Sequence, residues 1–316
     1  MDIEKIRKSF QQLAEELKLI IVGKDRQIEK TLVCLLAEGH LLLEDMPGVG
    51  KTTLASALAH AIGGIFTRIQ FTADLFPSVV IGTRIYRRQT EDFEFIRGAI
   101  FANVVLADEL NRAPPKTQSA LLQAMNEFAV SVEKQHIELV KPFMVIATQN
   151  PKGFQGTYPL PESQRDRFMM RISLGYPDEI SEVAILKKHI SSGKSSEQNI
   201  RGFLSLTEVV AAQDHVRTIP VADPVLQYIS RLMAAIRLHD EVVLPVSPRG
   251  SIALMHASQA FAFYRGQDFV SIDTVKEIAP EVLAHRIGLR GVSMYGGEGA
   301  RNDWRAGEIL QRVEVE

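Results

Sequence analysis

Apolar side chains recur at helical spacing at Ile6, Phe10, Leu13 and Leu17, which predicts an amphipathic helix that ends at the break Ile21-Val22-Gly23-Lys24. A second helix is expected from Asp25 to Ala37. Short apolar runs then alternate with helical patterns: Leu41 to Leu43, a helix carrying Leu54, Leu58 and Ala61, Phe66 to Phe71, Val104 to Ala107, another helix, and Met144 to Ala147. Strands that are apolar on both faces predict a parallel sheet with helices packed on either side. Beyond Tyr176-Pro177-Asp178 only helical periods remain, over Ser181 to His189, Leu204 to Asp214, Asp223 to Leu238, Arg249 to Tyr264 and Ile272 to Ala284. The expected division is therefore an α/β core over residues 1–177 and a small all-helical domain over 178–316. Two excursions interrupt the core. Asp74 to Gly98 contains Phe93 and Phe95 alternating with acids as in a β-hairpin, and Glu127 to Pro142 reads as a second hairpin. Ser191 to Gln198 is expected to be a solvated loop and Gly296-Gly297-Glu298-Gly299 a flexible turn.

Composition narrows the class without choosing a function. The 316 residues are 46% apolar and 23% charged, which excludes a disordered or fibrous chain. Thirty-six basic against 38 acidic side chains leave a net charge of −2, so there is no global footprint for nucleic acid or an anionic membrane. The single cysteine, Cys34, sits among Leu32, Val33, Leu35 and Leu36 and is read as a buried thiol. Met1-Asp2-Ile3-Glu4-Lys5 lacks the order of a signal peptide and no apolar run is long enough to span a bilayer, so a cytoplasmic protein without membrane insertion is expected.

Chemistry concentrates after the Leu41–Leu43 strand, in Asp45-Met46-Pro47-Gly48-Val49-Gly50-Lys51-Thr52, followed by Thr53 and a helix. A strand, a glycine-rich turn and a helix start are what a phosphate-binding P-loop requires. Gly48 and Gly50 let backbone N–H groups turn inward around an anion, and the helix aims its positive end at the same point. Lys51 would reach the β- and γ-phosphates of a nucleotide, and Thr52 would ligate Mg²⁺. The first glycine of the usual G-x-x-x-x-G-K-[ST] pattern is Asp45 here. A P-loop also needs an acid at the end of a neighbouring strand. Val104-Val105-Leu106-Ala107-Asp108-Glu109 supplies two, Asp108 to hold Mg²⁺ and Glu109 to activate water. Thr148-Gln149-Asn150-Pro151 follows a further strand, which places Asn150 where it can hydrogen-bond the water or the γ-phosphate. No Asn/Thr-Lys-x-Asp motif for reading guanine is present, and small-molecule kinases generally lack the second acid, which leaves an ATPase that transfers phosphate to water. There is no H-E-x-x-H zinc motif and no G-x-S-x-G nucleophile elbow.

These residues resemble the AAA+ superfamily and, within it, the MoxR-type ATPases. The run from Leu106 to Met125, the segment Ala147-Thr148-Gln149-Asn150-Pro151 and the segment Leu160-Pro161-Glu162-Ser163-Gln164-Arg165-Asp166-Arg167-Phe168 carry the resemblance, which covers residues 5 to 290. It implies an AAA+ core and a helical lid, with ATP and Mg²⁺ bound between them. Pro47, Gly48, Val49, Gly50, Lys51, Thr52 and Thr53 are then the phosphate loop, and Ile21, Val22 and Gly23 lie against adenine. Arg167 matches the arginine finger that reaches a neighbouring subunit's nucleotide, with Arg165 the alternative. Ser247-Pro248-Arg249-Gly250 reads as a helix start with Ser247 as N-cap. A cation in a first turn opposes the helix dipole unless an anion faces it, and Arg249 matches the family's sensor 2, which reaches from the lid to the γ-phosphate. A finger acting between subunits implies a head-to-tail ring, expected to be a hexamer. The resemblance also implies a chaperone that assembles or activates a client, one class of which carries a von Willebrand factor A domain. Arg84, Arg87 and Arg88 give the first hairpin a basic tip, so a DNA- or RNA-stimulated motor is the competing enzyme reading, and a nucleotide-gated scaffold without turnover the non-catalytic one.

Overall fold

A computed structural model describes residues 2–46, 48–132, 135–149, 157–192 and 202–291, together with 305, 307 and 308. Helix α1 (Ile3–Ile20) buries the Ile6, Phe10, Leu13, Leu17 stripe, and Asp2 caps it by accepting the Lys5 N–H at 3.2 Å. After α2 (Asp25–Leu36) come β1 (Leu41–Glu44), α3 (Lys51–Ala61), β2 (Phe66–Gln70), α4 (Pro77–Ile81), β3 (Gly82–Arg87) and β4 (Asp92–Arg97). The core continues through β5 (Val104–Asp108), α5 (Pro115–Glu127), β6 (Ala129–Val132), β7 (Gln135–Glu138), β8 (Met144–Gln149), α6 (Glu162–Arg165) and β9 (Met170–Ile172). The remainder comprises α7 (Glu179–Ser192), α8 (Leu206–Val216), α9 (Asp223–Leu238), β10 (Val242–Leu244), α10 (Pro248–Arg265), α11 (Ile272–Leu283) and β11 (Gly288–Leu289).

Five parallel strands form the central sheet in the order β2-β5-β8-β1-β9. Its middle strands are buried on both faces, which is why they read as continuous apolar runs. The order sets β8 between β1 and β5, so the segments leaving these three strands share one edge of the sheet. Both predicted hairpins form, as β3–β4 and β6–β7. Four short elements escape the sequence reading. β9 is only Met170-Arg171-Ile172, β10 and β11 place a two-stranded ribbon in the part expected to be all helical, and α4 is a single turn inside the first excursion. None is long enough to establish a period.

One apolar cluster unites α1, α2 and α3 with one face of the sheet and with α8 to α11, so the lid helices pack back onto the N-terminal helices. The other face of the sheet is covered by α5 and the hairpins around Leu121, Leu122, Met125 and Val130. Apolar packing thus runs without a gap across the expected division at residue 178. The later part of the expected 191–198 loop and the whole 296–299 turn lie outside the described residues, except that α7 extends through Ser192.

Candidate functional site

The glycine-rich turn leaves β1 and enters α3 with Gly48 at φ +86° and Gly50 at φ +94°. A Cβ at either would meet nothing within 4 Å, so the requirement for glycine there is conformational rather than steric. α3 begins at Lys51, which gives the turn the free N–H groups and positive dipole end of an eleven-residue helix. Lys51 Nζ donates to the Asp45 carbonyl at 2.9 Å. Burial lowers the Lys51 pKa, against which Asp45, Asp108 and Glu109 act to raise it. Together with Gly48, Thr52 and Thr53, Lys51 lines a hollow of about 400 Å³ that is closed on the far side by Asp108 and Glu109. Pro47 and Asn150 lie outside the described residues.

Asp45, the departure from the usual pattern, is buried at 5% exposure in the wall of the phosphate hollow. Its carboxylate accepts the Ser173 hydroxyl at 2.6 Å, the Leu174 N–H at 2.6 Å and the Gly175 N–H at 2.9 Å. A charged acceptor with three donors ties the loop to the chain leaving β9.

Three strands build the acidic pair. Asp108 ends β5 and accepts the Thr148 hydroxyl of β8 at 2.7 Å and Arg68 Nη2 of β2 at 2.6 Å. The same Thr148 oxygen accepts the Glu109 N–H at 2.8 Å, so one hydroxyl fixes both acidic residues. Glu109 adopts φ +55°, a left-handed conformation uncommon for a residue with a side chain and frequent at functional sites. Its carboxylate accepts Gln70 Nε2 at 3.2 Å and Arg112 Nη1 at 2.7 Å. The parallel register pairs Gln70 with Asp108, and Arg68 shares its face two residues earlier. Arg68, Gln70 and Thr148 have no role in the sequence reading, although Thr148 opens the Thr148-Gln149-Asn150-Pro151 segment. The available signal was that polar residues at the ends of three adjacent strands must meet at one edge once the strand order is known.

Ile21, Val22 and Gly23 form the turn between α1 and α2, outside the lining of the phosphate hollow. Gly23 has φ +74°, and a Cβ there would lie 2.2 Å from Ser181 Oγ, so α7 is laid directly over this turn. Lys24 Nζ, donating to the Tyr176 carbonyl at 2.8 Å, fastens the same junction.

Arg167 and Arg249 meet elsewhere. Both line a second hollow of about 320 Å³ with His40, Met125, Asp166 and Arg286. His40 immediately precedes β1 and the phosphate loop follows it, so the two hollows open at opposite edges of the sheet. Arg167 Nη1 donates to the Leu122 carbonyl at 2.7 Å. Its pKa is lowered first by burial and then by the charge of Arg249, with Glu127 opposing. Arg165 is buried at 4% exposure and does not line this hollow. The expectation that Arg249 closes over its own chain's phosphates, clamping ATP between core and lid, does not match this placement: Arg249 sits beside Arg167, away from Lys51.

Two family models match the chain: the ATPase family associated with various cellular activities (AAA) over residues 40–170, and the AAA lid domain over 234–307. Chaperone MoxR1 of Mycobacterium tuberculosis is 41% identical over 86% of this chain and 74% of its own length. The chain belongs to the MoxR-type AAA+ ATPases. This MoxR-type ATPase is also 42% identical to the uncharacterized protein YeaC of Bacillus subtilis, over 95% of this chain and 93% of that one. The crystal structure of a candidate ATPase from Cytophaga hutchinsonii superposes with a TM-score of 0.86 at 34% identity, covering 99% of this chain and 97% of the other. The AAA core and lid expected from the sequence are thereby shown, and membership brings nucleotide binding and chaperone-type ATPase function with it. Among the described residues no helix is long and apolar enough to cross a membrane.

Proposed function

We propose that this MoxR-type ATPase hydrolyses ATP with Mg²⁺ at a site that a neighbouring copy completes, and that turnover remodels or activates a client protein. The carrying observation is the separation of charges: Lys51, Asp108 and Glu109 face one hollow while Arg167 and Arg249 face another at the opposite edge of the sheet. A hollow that holds phosphates needs cations at the transferred group, and a head-to-tail neighbour can bring both arginines to it. Arg249 therefore joins Arg167 as a residue donated between copies. Repetition of that heterologous contact closes a ring, for which we propose a hexamer in the cytoplasm.

The residues present suit the ligands. Thr52 and Asp108 offer oxygen donors at the edge of the hollow, as a hard divalent cation requires, and a carboxylate that accepts two hydrogen bonds still has lone pairs free. Mg²⁺ bound there would neutralise phosphate charge as it develops. The Gly48 and Gly50 backbone, with Val49, Pro47, Thr53 and the start of α3, holds the phosphates, and desolvated Lys51 supplies the nearby cation. Glu109 takes the proton of the attacking water while Gln70 and Arg112 fix its carboxylate, and Asn150 hydrogen-bonds the water or the γ-phosphate. Ile21, Val22 and Gly23 offer apolar and backbone contact to adenine. The lid, taken as residues 178–316, changes angle on turnover and passes work to the client, for which a von Willebrand factor A domain is the proposed module.

The nucleic-acid motor draws little support from the hairpin. Arg87 is paired with Glu94 at 2.6 Å and the Arg84 guanidinium stacks 5.1 Å from the Phe93 ring centroid, so two of the three tip cations are engaged within the hairpin. The test is complementation: Lys51→Ala and Arg167→Ala proteins, each inactive alone, are mixed under conditions of subunit exchange. ATPase activity is expected to reappear at interfaces pairing an intact Lys51 with an intact Arg167, the arginine contribution being ~10³–10⁵ in rate. Absence of recovery, with exchange verified by size and label mixing, refutes the shared site.

A further inference from the structure

Asp166, the residue before Arg167, is the meeting point of core and lid. Its Oδ1 accepts Arg286 Nε at 2.8 Å and its Oδ2 accepts the Ser247 hydroxyl at 3.0 Å. Arg286 is buried, and its other donors go to main-chain carbonyls: Met169 at 3.1 Å, Phe168 at 2.7 Å, Asp166 itself at 3.3 Å, and Val282. These bonds hold the backbone on both sides of Arg167. Ser247 occupies the N-cap position of α10, yet its side chain makes no capping bond; it turns outward to Asp166 instead. Two residues later in the same turn stands Arg249. A carboxylate at this helix start also offsets the unfavourable placement of a cation in a first turn.

We propose that Asp166 and Ser247 are positioning residues that lock Arg167 of the core and Arg249 of the lid into one two-cation unit, presented to the nucleotide of the next copy. This rests on the shared-site reading above. The two arginines line one hollow although like charges repel, and the backbones on either side of them are fastened to a common anchor, Asp166, while Arg167 is held further by the Leu122 carbonyl. Separate flexible arginines would lose that orientation, and small misplacements at a reacting phosphate cost orders of magnitude in rate.

Ser247→Ala is the informative variant, because it cuts the link from the start of α10 while leaving the buried Asp166–Arg286 pair whole; Asp166→Asn is the companion change. The reference is the mixture of Lys51→Ala with Arg167→Ala. In the first arm, Ser247→Ala is mixed with Lys51→Ala, so its intact nucleotide site receives unaltered arginines; kcat per mixed interface is expected to equal the reference. In the second arm, the Ser247→Ala Lys51→Ala double variant donates to Arg167→Ala subunits, and kcat is expected to fall about tenfold or more with KM for ATP unchanged. Asp166→Asn should show the same direction dependence. Equal rates in both arms, whether high or low, overturn the proposal, since a general loss of structure would not depend on which side of the interface carries the change. A reference mixture that fails to recover refutes the shared site itself, and this inference with it.

Discussion

Replacing Asp45 by glycine would restore the usual P-loop pattern, and on the pattern alone it should be harmless. The structure predicts the opposite. The substitution removes a carboxylate that is 5% exposed and leaves the Ser173 hydroxyl and the Leu174 and Gly175 N–H groups without their acceptor. Hydrogen bonds to a charged group contribute ~1.5–3 kcal/mol each, but they are not additive and water can enter the vacated space, so we take ~4 kcal/mol as the net loss. Glycine's freedom in the unfolded chain adds ~0.5 kcal/mol in the same direction. With an unfolding entropy of ~2.1 cal/mol/K per residue over 316 residues, the melting temperature should fall by about 6–7 °C. Asp45→Asn, which keeps one acceptor oxygen, should fall by less than half as much. Thermal unfolding followed by circular dichroism measures both, and ATP titration should show a raised KM because the β9 exit leads directly to α7 and the Gly23 turn. An Asp45→Gly protein that melts at or above the wild-type temperature would refute the reasoning and return Asp45 to the status of a tolerated variation.

Two further predictions concern charge. Arg68 sits on the carboxylate assigned to Mg²⁺ with its side chain 48% exposed, so the pair is partly screened and Arg68→Gln should lower the Mg²⁺ needed for half-maximal ATPase by only about two- to fivefold; a higher requirement would mean that Arg68 supports the metal. His40 is buried, with Nδ1 accepting the Val145 N–H at 3.1 Å and Nε2 left to donate to the Met125 carbonyl at 3.0 Å, which defines the neutral tautomer. Burial depresses its pKa from 6.5 to about 4, so the unfolded chain takes up the proton first, and stability that is complete above pH 6.5 is lost as the pH falls through about 4. The loss from this one group is ~3 kcal/mol, and His40→Gln should reduce the slope of the urea-midpoint profile across that window, leaving the part due to His285, whose pKa burial pushes well below 6.5. An unchanged profile would contradict the assignment.

What could be read from the sequence was local. The phosphate loop, the acidic strand end and both hairpins each lie within one stretch of chain whose spacing states its geometry. Arg68, Gln70 and Thr148 became visible only through the order β2-β5-β8-β1, because a parallel sheet brings together residues that no local period connects. The role of Asp45 was hidden for the same reason: its donors arrive on the chain that leaves β9, a strand of three residues.

Arg249 shows the limit of local electrostatics most clearly. A cation in the first turn of α10 calls for a negative charge nearby, and the sequence supplies no candidate within the helix itself. The fold provides Asp166 through Ser247, and then sets a second cation, Arg167, in the same hollow. Asp166 is shared with Arg286, and Glu38 of the same hollow is paired with Arg217, which leaves Glu127 to act against two cations, so an external anion remains the natural partner of the pair. On the proposed reading, β1 separates that partner from the chain's own nucleotide. His40 of the arginine hollow stands before the strand and the phosphate loop begins after it, and four extended residues span ~13 Å. The strand that positions Lys51 therefore also holds the arginines away from it, and a second copy is the simplest source of the missing half of each site.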